Sequence, residues 1–507
     1  MRGMNMDINL KDLQSREQLY QYLESNKYNK NDILESQDLK AIIDAVDYTV
    51  QRSTESTQNF LLQRRFNLFY SYYPHFFQHV PNHAIVEVLA NQNDRFIDFE
   101  LGEEFILDLD NNRFRFQAAI PFVVSPFQVT NCYINNRIVN IELDAMKPFR
   151  FDRNRFLLSC NPLDMKNYQI YHLVNALREH KSATMTLFSH NLDKPISINI
   201  VLNFDIILNL DITQEAILRS LTQAVFSNFY VEFENLPADT LFYKILLEIE
   251  ILNIDNITTQ LNNNSIRTNL LPVFNLFEDY AMKISCDYSQ ESYAIKHQDS
   301  PSEYVPTKLY DVHYNKQRAY HNYLNLTKAK SYELMFEESG HMRIAFLEPT
   351  IEDLSRNSNE IVINAQWTQI ASANVEKKSY TFRPLSRSIG SLKFNIIYSY
   401  GFKRNQLLER AENILKILNV INATGIDIYI FNTLIYLVTN NDYYAIEFIN
   451  RNIVSIESDR NLNYVVYIRT DLSKAEFSFY TNLVQNFLSS HLSRRIGVQI
   501  NLEVKVK

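Results

Sequence analysis

LFYSYYPHFFQHVP, residues 68–81, is the stretch on which the reading of the fold turns. Upstream of it, over about residues 39–73, apolar residues recur at helical spacing. Ile42, Ile43, Val46 and Val50 form one stripe, residues 51–59 are almost wholly polar, and Phe60, Leu61, Phe69 and Tyr73 resume the stripe. Pro74 and Pro81 have no backbone N–H to donate, so the helix is expected to end near the first and an extended segment to begin after the second. Phe69, Tyr70, Tyr72, Tyr73, Phe76 and Phe77 crowd this junction. They fit either a plug sealing helix against sheet or a surface covered by a partner, since aromatic side chains serve both purposes.

Before that stretch, residues 8–73 read as helical and polar, with segments at 11–25 and 32–37 ahead of the long helix. Their narrow apolar stripes suit packing against partner helices better than a core of their own. Beyond Pro81 the period shortens. Residues 84–89, 96–101, 105–110 and 113–117 read as strands, with Asn111-Asn112 expected as a hairpin turn because Asn tolerates positive φ. This β-rich region runs over about 83–210. It contains a strand at 156–159, a helix at 164–178 with Ile170, Leu173, Val174 and Leu177 on one side, and a long strand at 196–210. Thr213 is placed to cap a following helix, 213–225. Residues 242–251 fit helix or strand, and the Asn-rich 253–264 reads as a surface connection.

Leu271-Pro272-Val273-Phe274-Asn275-Leu276-Phe277-Glu278 is an apolar plug in which Asn275 is expected to cap a turn. Extended segments follow through Tyr293, Ala294 and Ile295, and over 304–312 and 381–400. An amphipathic helix is expected at 405–421, through Leu408, Ala411, Leu415, Leu418 and Ile421. The chain then reads as strands at 426–438, 444–456 and 464–470, a helix at 476–492, and a last strand at 498–506. That strand alternates cleanly through Val498, Ile500, Leu502, Val504 and Val506. The fold class is therefore α+β and multidomain. Residues 1–80 form a helical, partner-bundle region, 81–270 a β-rich mixed domain, 271–400 a central β-rich region and 401–507 a C-terminal α/β sandwich unit.

A chain of 507 residues is long enough for several buried cores, and 46% hydrophobic with 21% charged residues describes a soluble globular protein. The net charge of −8 argues against a nucleic-acid partner, which calls for clustered Lys and Arg. The seven glycines, at 3, 102, 340, 390, 401, 425 and 497, do not combine into a phosphate loop, a dinucleotide fingerprint or a nucleophile elbow. Nucleotide enzymes are disfavoured on that ground, although the abundance of Asn, Ile, Lys, Phe and Tyr is also what an AT-rich coding bias produces. Cys132, Cys160 and Cys286 are far apart, which suggests neither a disulfide framework nor a CxxC metal site and fits a reducing compartment. Residues 1–7 carry no apolar export segment. The best membrane candidate, 426–438, contains Asp427 and Asn432 and falls short of the roughly 18 apolar residues that a span requires. A soluble, cytoplasmic protein without direct membrane insertion is expected.

Candidate chemistry is sparse. His75, His79 and His83 are spaced by four, as metal ligands on one helix would be, but Pro81 interrupts that helix and no carboxylate joins them. Packing among Phe and Tyr is the expectation. Asp108-Leu109-Asp110 resembles the paired aspartates of metal-dependent glycosyltransferases, and supplies the alternative function; Asp and Asn are also ordinary turn formers. A calcium loop starting at Asp108 fails, because Arg113 and Ala119 stand where the central Gly and terminal Glu belong. Ser159-Cys160 and His341 are not linked into a nucleophilic arrangement, and Lys377-Lys378 and Arg494-Arg495 read as solvated pairs. No catalytic, cofactor-binding or metal residue is expected.

Three blocks carry a family resemblance. Tyr73-Pro74-His75-Phe76-Phe77 with Pro81 resembles the Tyr-Pro-His-Tyr segment near the N-terminus of TssF, a family of baseplate subunits of bacterial type VI secretion systems related to contractile phage-tail wedge proteins. Residues 272–278 are similar to the Pro-Val-Val-Asn-Leu-Phe-Glu segment midway along that family. The C-terminal order also resembles it: strand 464–470, then Phe477, Phe479 and Tyr480, a helix through Val484, Phe487 and His491, and strand 496–502. Gln78 and His79 depart from the family's Arg and Pro, and Met282-Lys283-Ile284 lacks its Glu-Pro. The resemblance spans about residues 44–502. It implies a structural, non-enzymatic wedge component that assembles with TssG-like, TssK-like and TssE-like subunits and a second copy of itself around a VgrG-like hub. On that platform the sheath proteins and inner tube polymerise, in the bacterial cytoplasm and docked to an inner-membrane complex through other subunits. It also implies interface roles for Tyr73, Pro74, His75, Phe76, Phe77, Pro81, Pro272, Asn275, Leu276 and Phe277.

Overall fold

A computed structural model describes Tyr48, Arg52 and residues 79–90, 95–110, 112–205, 228–234, 236, 240–252, 261–321, 330–336, 341–346, 350–355, 359–375, 379–386, 392–404, 425–439, 442–458, 463–491 and 501–507. The chain divides into two compact units, Met1–Tyr72 and Tyr73–Lys507. In the first, Tyr48 and Arg52 are helical and exposed. The rest of the expected N-terminal helical region lies outside the described residues. So do Tyr73, Pro74, His75, Phe76 and Phe77, and the helices expected at 213–225 and 405–421.

The second unit is β-rich. Its six-stranded sheet collects β1 (His83–Ala90), β2 (Glu104–Leu109), β3 (Asn112–Ala118), β4 (Leu270–Phe274), β5 (Tyr380–Pro384) and β6 (Leu392–Tyr400), in the order β5-β2-β3-β4-β1-β6. Every neighbouring pair is antiparallel. Alternation decides the buried face: Phe105, Leu107 and Leu109 of β2 and Phe114, Phe116 and Ala118 of β3 point to the core, with polar residues between them. Phe105 stacks on Phe382 of β5 at 5.3 Å. Leu109 pairs with Asn112, so Asn112, expected in the turn, belongs to the strand, and Asp110 is the turn residue. Asp110 has φ 53°, a conformation that a short polar side chain tolerates.

A second core lies between a five-stranded antiparallel sheet, a four-stranded sheet and helix α1 (Asn167–Arg178). Ile170, Leu173, Val174 and Leu177 face inward as the helical spacing requires. Residues 242–251 are a strand, Phe242–Ile251, with partners on both sides and Ile245, Leu247, Ile249 and Ile251 buried. Of the long strand expected over 196–210, residues 206–210 lie outside the described residues, and the rest forms two strands, Ile196–Asn199 and Val201–Asn203, which belong to different sheets. The chain changes sheet at Ile200, whose N–H donates to the Ala183 carbonyl at 3.0 Å. A third region is built on the strand Asn359–Gln369, which carries Phe277–Tyr280 and Ile284–Cys286 on one side and Tyr304–Tyr314 on the other.

Two C-terminal expectations are corrected. Residues 426–438 are not a strand but a helix, α2 (Ile428–Val438), because Asp427 accepts the Ile430 N–H at 2.7 Å and caps it. Phe431, Leu434, Ile435 and Val438 then bury one helical face. Residues 444–456 divide into α3 (Tyr443–Asn452), capped by Asp442, and a strand, Ile453–Ser458. The remainder agrees in kind: strand Asn463–Ile468, helix α4 (Lys474–His491) and strand Asn501–Val506. The first and last of these pair in parallel, so α4 is a crossover helix. Among the described residues, no helix is long and apolar enough to cross a membrane.

Candidate functional site

The fold brings two of the sequence landmarks side by side. β1 begins just after Pro81 and pairs with β4, setting His83 opposite Phe274, Ala84 opposite Val273 and Ile85 opposite Pro272. At the end of this pair the strands leave the sheet, and their backbone groups need partners that no ladder supplies. Three buried side-chain amides provide them.

Asn82 donates to the carbonyls of Gln369 at 3.0 Å and Ala371 at 2.9 Å, and accepts the N–H groups of Ala373 at 2.9 Å and Phe402 at 2.8 Å. Its own carbonyl accepts the Asn275 N–H at 2.8 Å. Asn275 donates to the Arg115 carbonyl at 2.7 Å and to Gln369 Oε1 at 2.9 Å, and accepts the Gln369 N–H at 2.7 Å and the Thr368 hydroxyl at 3.0 Å. Gln369 Nε2 donates to the Arg113 carbonyl at 2.9 Å. Asn82 and Asn275 thereby use both donor hydrogens and both acceptor positions of their amides. Together the three amides join β1, β3, β4, the strand Asn359–Gln369 and the segment after β6.

Asn275 was expected to cap a turn. Its side chain instead bonds to Arg115, Thr368 and Gln369, all remote in sequence, so it cross-links sheets rather than closing a local loop. Pro81, Pro272, Leu276 and Phe277 are buried as well. Phe277 meets Tyr304 edge-on at 5.2 Å and lies under the Arg115 guanidinium at 5.1 Å. The described landmark residues therefore sit inside the chain, where the six-stranded sheet meets the central one. Asn82 and Gln369 escape sequence reading, because no local pattern distinguishes a buried amide from a solvated one.

Of the three spaced histidines, His75 lies outside the described residues. His79 packs 5.4 Å from Phe402, and His83 stacks on Tyr400 at 4.9 Å. Burial drives the His83 pKa down to about 4, against a 3.1 Å contact of Nδ1 with the Pro81 carbonyl, and nearby Lys403 lowers it further. His83 is neutral near pH 7 and behaves as a flat ring in an aromatic layer. Asp108 accepts from Arg113 Nε at 2.8 Å and lies 3.7 Å from Arg383; the Arg113 hydrogen bond holds its carboxyl below the usual range. Asp110 is a turn residue. Among the described residues, no three His, Cys, Asp or Glu side chains are grouped as metal ligands. Cys132, Cys160 and Cys286 are buried and joined in no disulfide, and burial raises the pKa of each thiol.

The C-terminal landmarks form a second joint. Phe477, Phe479, Tyr480 and Val484 of α4 are buried, with Phe431 of α2 stacked on Phe477 at 6.1 Å. Tyr171 of α1 meets Phe479 at 5.5 Å, and His172 Nε2 lies 2.7 Å from the Ala475 carbonyl. These contacts fasten the C-terminal α/β unit onto the β-rich body.

No family model matches the sequence, and no curated protein matches it. By fold, the chain is similar to one in a structure of the type VI secretion system TssK-TssF-TssG baseplate subcomplex, obtained by cryo-electron microscopy. The TM-score is 0.63 at 10% sequence identity, covering 92% of this chain and 96% of that one. At this identity the likeness is one of fold, and it extends over nearly the whole of both chains. The protein thus shares its architecture with a component of a baseplate subcomplex.

Proposed function

We propose that this chain is a structural, non-enzymatic baseplate subunit of a type VI secretion system, in the position of TssF. The single observation that carries the reading is the fold likeness, which spans 92% of this chain and 96% of a chain from the TssK-TssF-TssG subcomplex. The three sequence blocks that resemble TssF select this subunit among the three. The sheet junction built on Asn82, Asn275 and Gln369 and the C-terminal joint through Phe479 suit a part that transmits force, since both replace local loops with cross-links between remote segments.

In this reading the chain works in the bacterial cytoplasm, assembling with TssG-like, TssK-like and TssE-like subunits and a second copy of itself around a VgrG-like hub. The platform then supports sheath and tube. Tyr73, Pro74, His75, Phe76 and Phe77 contribute to partner contacts directly. Pro81, Pro272, Asn275, Leu276 and Phe277 act from the interior, by fixing the surface that partners meet. Affinity capture of the tagged chain from its own cells, followed by mass spectrometry, tests the reading: TssG-like and TssK-like subunits are expected in stoichiometric amounts. A monodisperse monomer recovered without them would overturn it.

A further inference from the structure

A cavity of about 460 Å³, open on one side, lies where α1, α3 and α4 come together beside the end of β6. Its size falls within the range of roughly 300–1,000 Å³ typical of binding sites. Tyr168, Tyr444 and Tyr480 line it, together with two tyrosines of β6, and the carboxylates of Asp442 and Glu476 share the lining. Tyrosine rings present electron-rich faces, and carboxylates between them complete an environment that favours a cation.

We infer that this cavity receives a basic side chain, Arg or Lys, presented by a partner protein. Glu476 is half-buried; the Tyr444 hydroxyl hydrogen-bonds it, and Lys166 acts on it through charge alone. Burial raises its pKa, the mark of a carboxylate that has lost water without gaining a full counter-charge. Lys166 also lines the cavity, with its ammonium over the Tyr168 ring at 6.0 Å, so an incoming cation competes with it for that face. Asp442, also in the lining, spends its side chain on the Tyr444 N–H at the start of α3. The long stem of Arg or Lys matches the tyrosine faces while its head reaches Glu476. A protein-borne cation fits better than a free amine because Tyr443, in the first turn of α3 next to the lining Tyr444, is 76% exposed and adds an aromatic surface on which a flanking chain would lie.

The inference goes beyond the baseplate reading and is tested without any baseplate protein, so either can fail alone. The full chain is titrated by calorimetry with acetyl-Gly-Arg-Gly-amide and with the same peptide carrying neutral citrulline. The Arg peptide is expected to bind about tenfold more tightly, the order of a partly desolvated cation–π and carboxylate contact. Glu476→Gln should abolish that preference, and Lys166→Ala, which removes a competing charge from the surface, should strengthen it about threefold. If Glu476→Gln loses its native circular dichroism, Lys166→Ala decides alone. Equal binding of the two peptides, indifference to both substitutions, or tighter binding of free methylguanidinium than of the peptide would each overturn the inference.

Discussion

Asn275 and Gln369, 94 residues apart, are bonded to each other twice: the Asn275 amide donates to Gln369 Oε1 at 2.9 Å, and its oxygen accepts the Gln369 backbone N–H at 2.7 Å. The bond pair ties the end of β4 to the end of the central strand. Asn275→Ala leaves the Gln369 N–H, the Thr368 hydroxyl and the Arg115 carbonyl without this partner at a buried position. Each orphaned group costs roughly 1–3 kcal/mol, so a total loss of about 3 kcal/mol or more is expected in the unfolding free energy of the second unit measured by urea titration. A change below about 1 kcal/mol would show that the junction tolerates the gap.

Trp367 is the single tryptophan of the chain, fully buried, with its indole N–H on the Asp279 carbonyl at 3.0 Å. Its emission should be blue-shifted and poorly quenched by acrylamide in the native protein, and should move red as the central sheet opens. Because Trp367 lies two residues from Gln369, Asn275→Ala should advance that red shift to lower denaturant. An unshifted fluorescence transition would separate the sheet from the amide junction.

Acid should weaken the fold well before the carboxylates titrate. His83 and His321 both have pKa values lowered by burial to about 4 from an ordinary 6.5. Between those values the unfolded chain takes up protons that the folded chain refuses, so stability falls as the pH drops from 6.5 towards 4. Each fully shifted histidine contributes up to roughly 3 kcal/mol over that window. His83→Phe, which keeps a flat ring against Tyr400, should flatten the pH dependence of the melting temperature there; an unchanged slope would refute the assignment.

Lys330, half-buried, pairs with the buried Asp353 at 2.8 Å, and the Tyr314 hydroxyl donates to the second carboxylate oxygen at 3.0 Å. Burial pushes the Asp353 pKa up, but Lys330, Thr350 and Tyr314 outweigh it and hold it at about 2. Lys330→Met strands the carboxylate and is expected to cost about 3–5 kcal/mol, whereas Lys330→Met with Asp353→Leu should recover most of it. Additive losses in the double variant would contradict a coupled pair.

Asp108 faces solvent in its ion pair with Arg113. Asp108→Asn is expected to change stability by less than about 1 kcal/mol and to leave partner capture unaltered. Loss of captured partners would reopen this hairpin as a functional element.

Much of the β-rich body is legible because one face of each strand is buried. Phe105, Leu107 and Leu109 against Phe114, Phe116 and Ala118 display both strands and the turn between them. Residues 426–438 mislead because nearly continuous apolar character hides its period; Asp427 ahead of Phe431, Leu434, Ile435 and Val438 was the available helix signal. The break at Ile200 is invisible because both strands around it alternate alike. The amide junction is the least legible part, since Asn82 finds partners 287 and 289 residues away and nothing nearby in sequence announces them. Pro81 and residues 272–278 mark the place without revealing what holds it.

β1 is hydrogen-bonded on both edges, with Ile85 opposite Pro272 on one side and Tyr398 on the other. On the ribosome it is the first strand of its sheet to emerge, and its last neighbour follows roughly 300 residues later. At about 5–20 residues per second, that strand waits some 15–60 s with an open edge. An edge left open for that long is a template for wrong pairing, so the yield of folded protein is expected to rise when the nascent chain is protected over this interval. A truncation that stops before Leu392 makes the wait permanent.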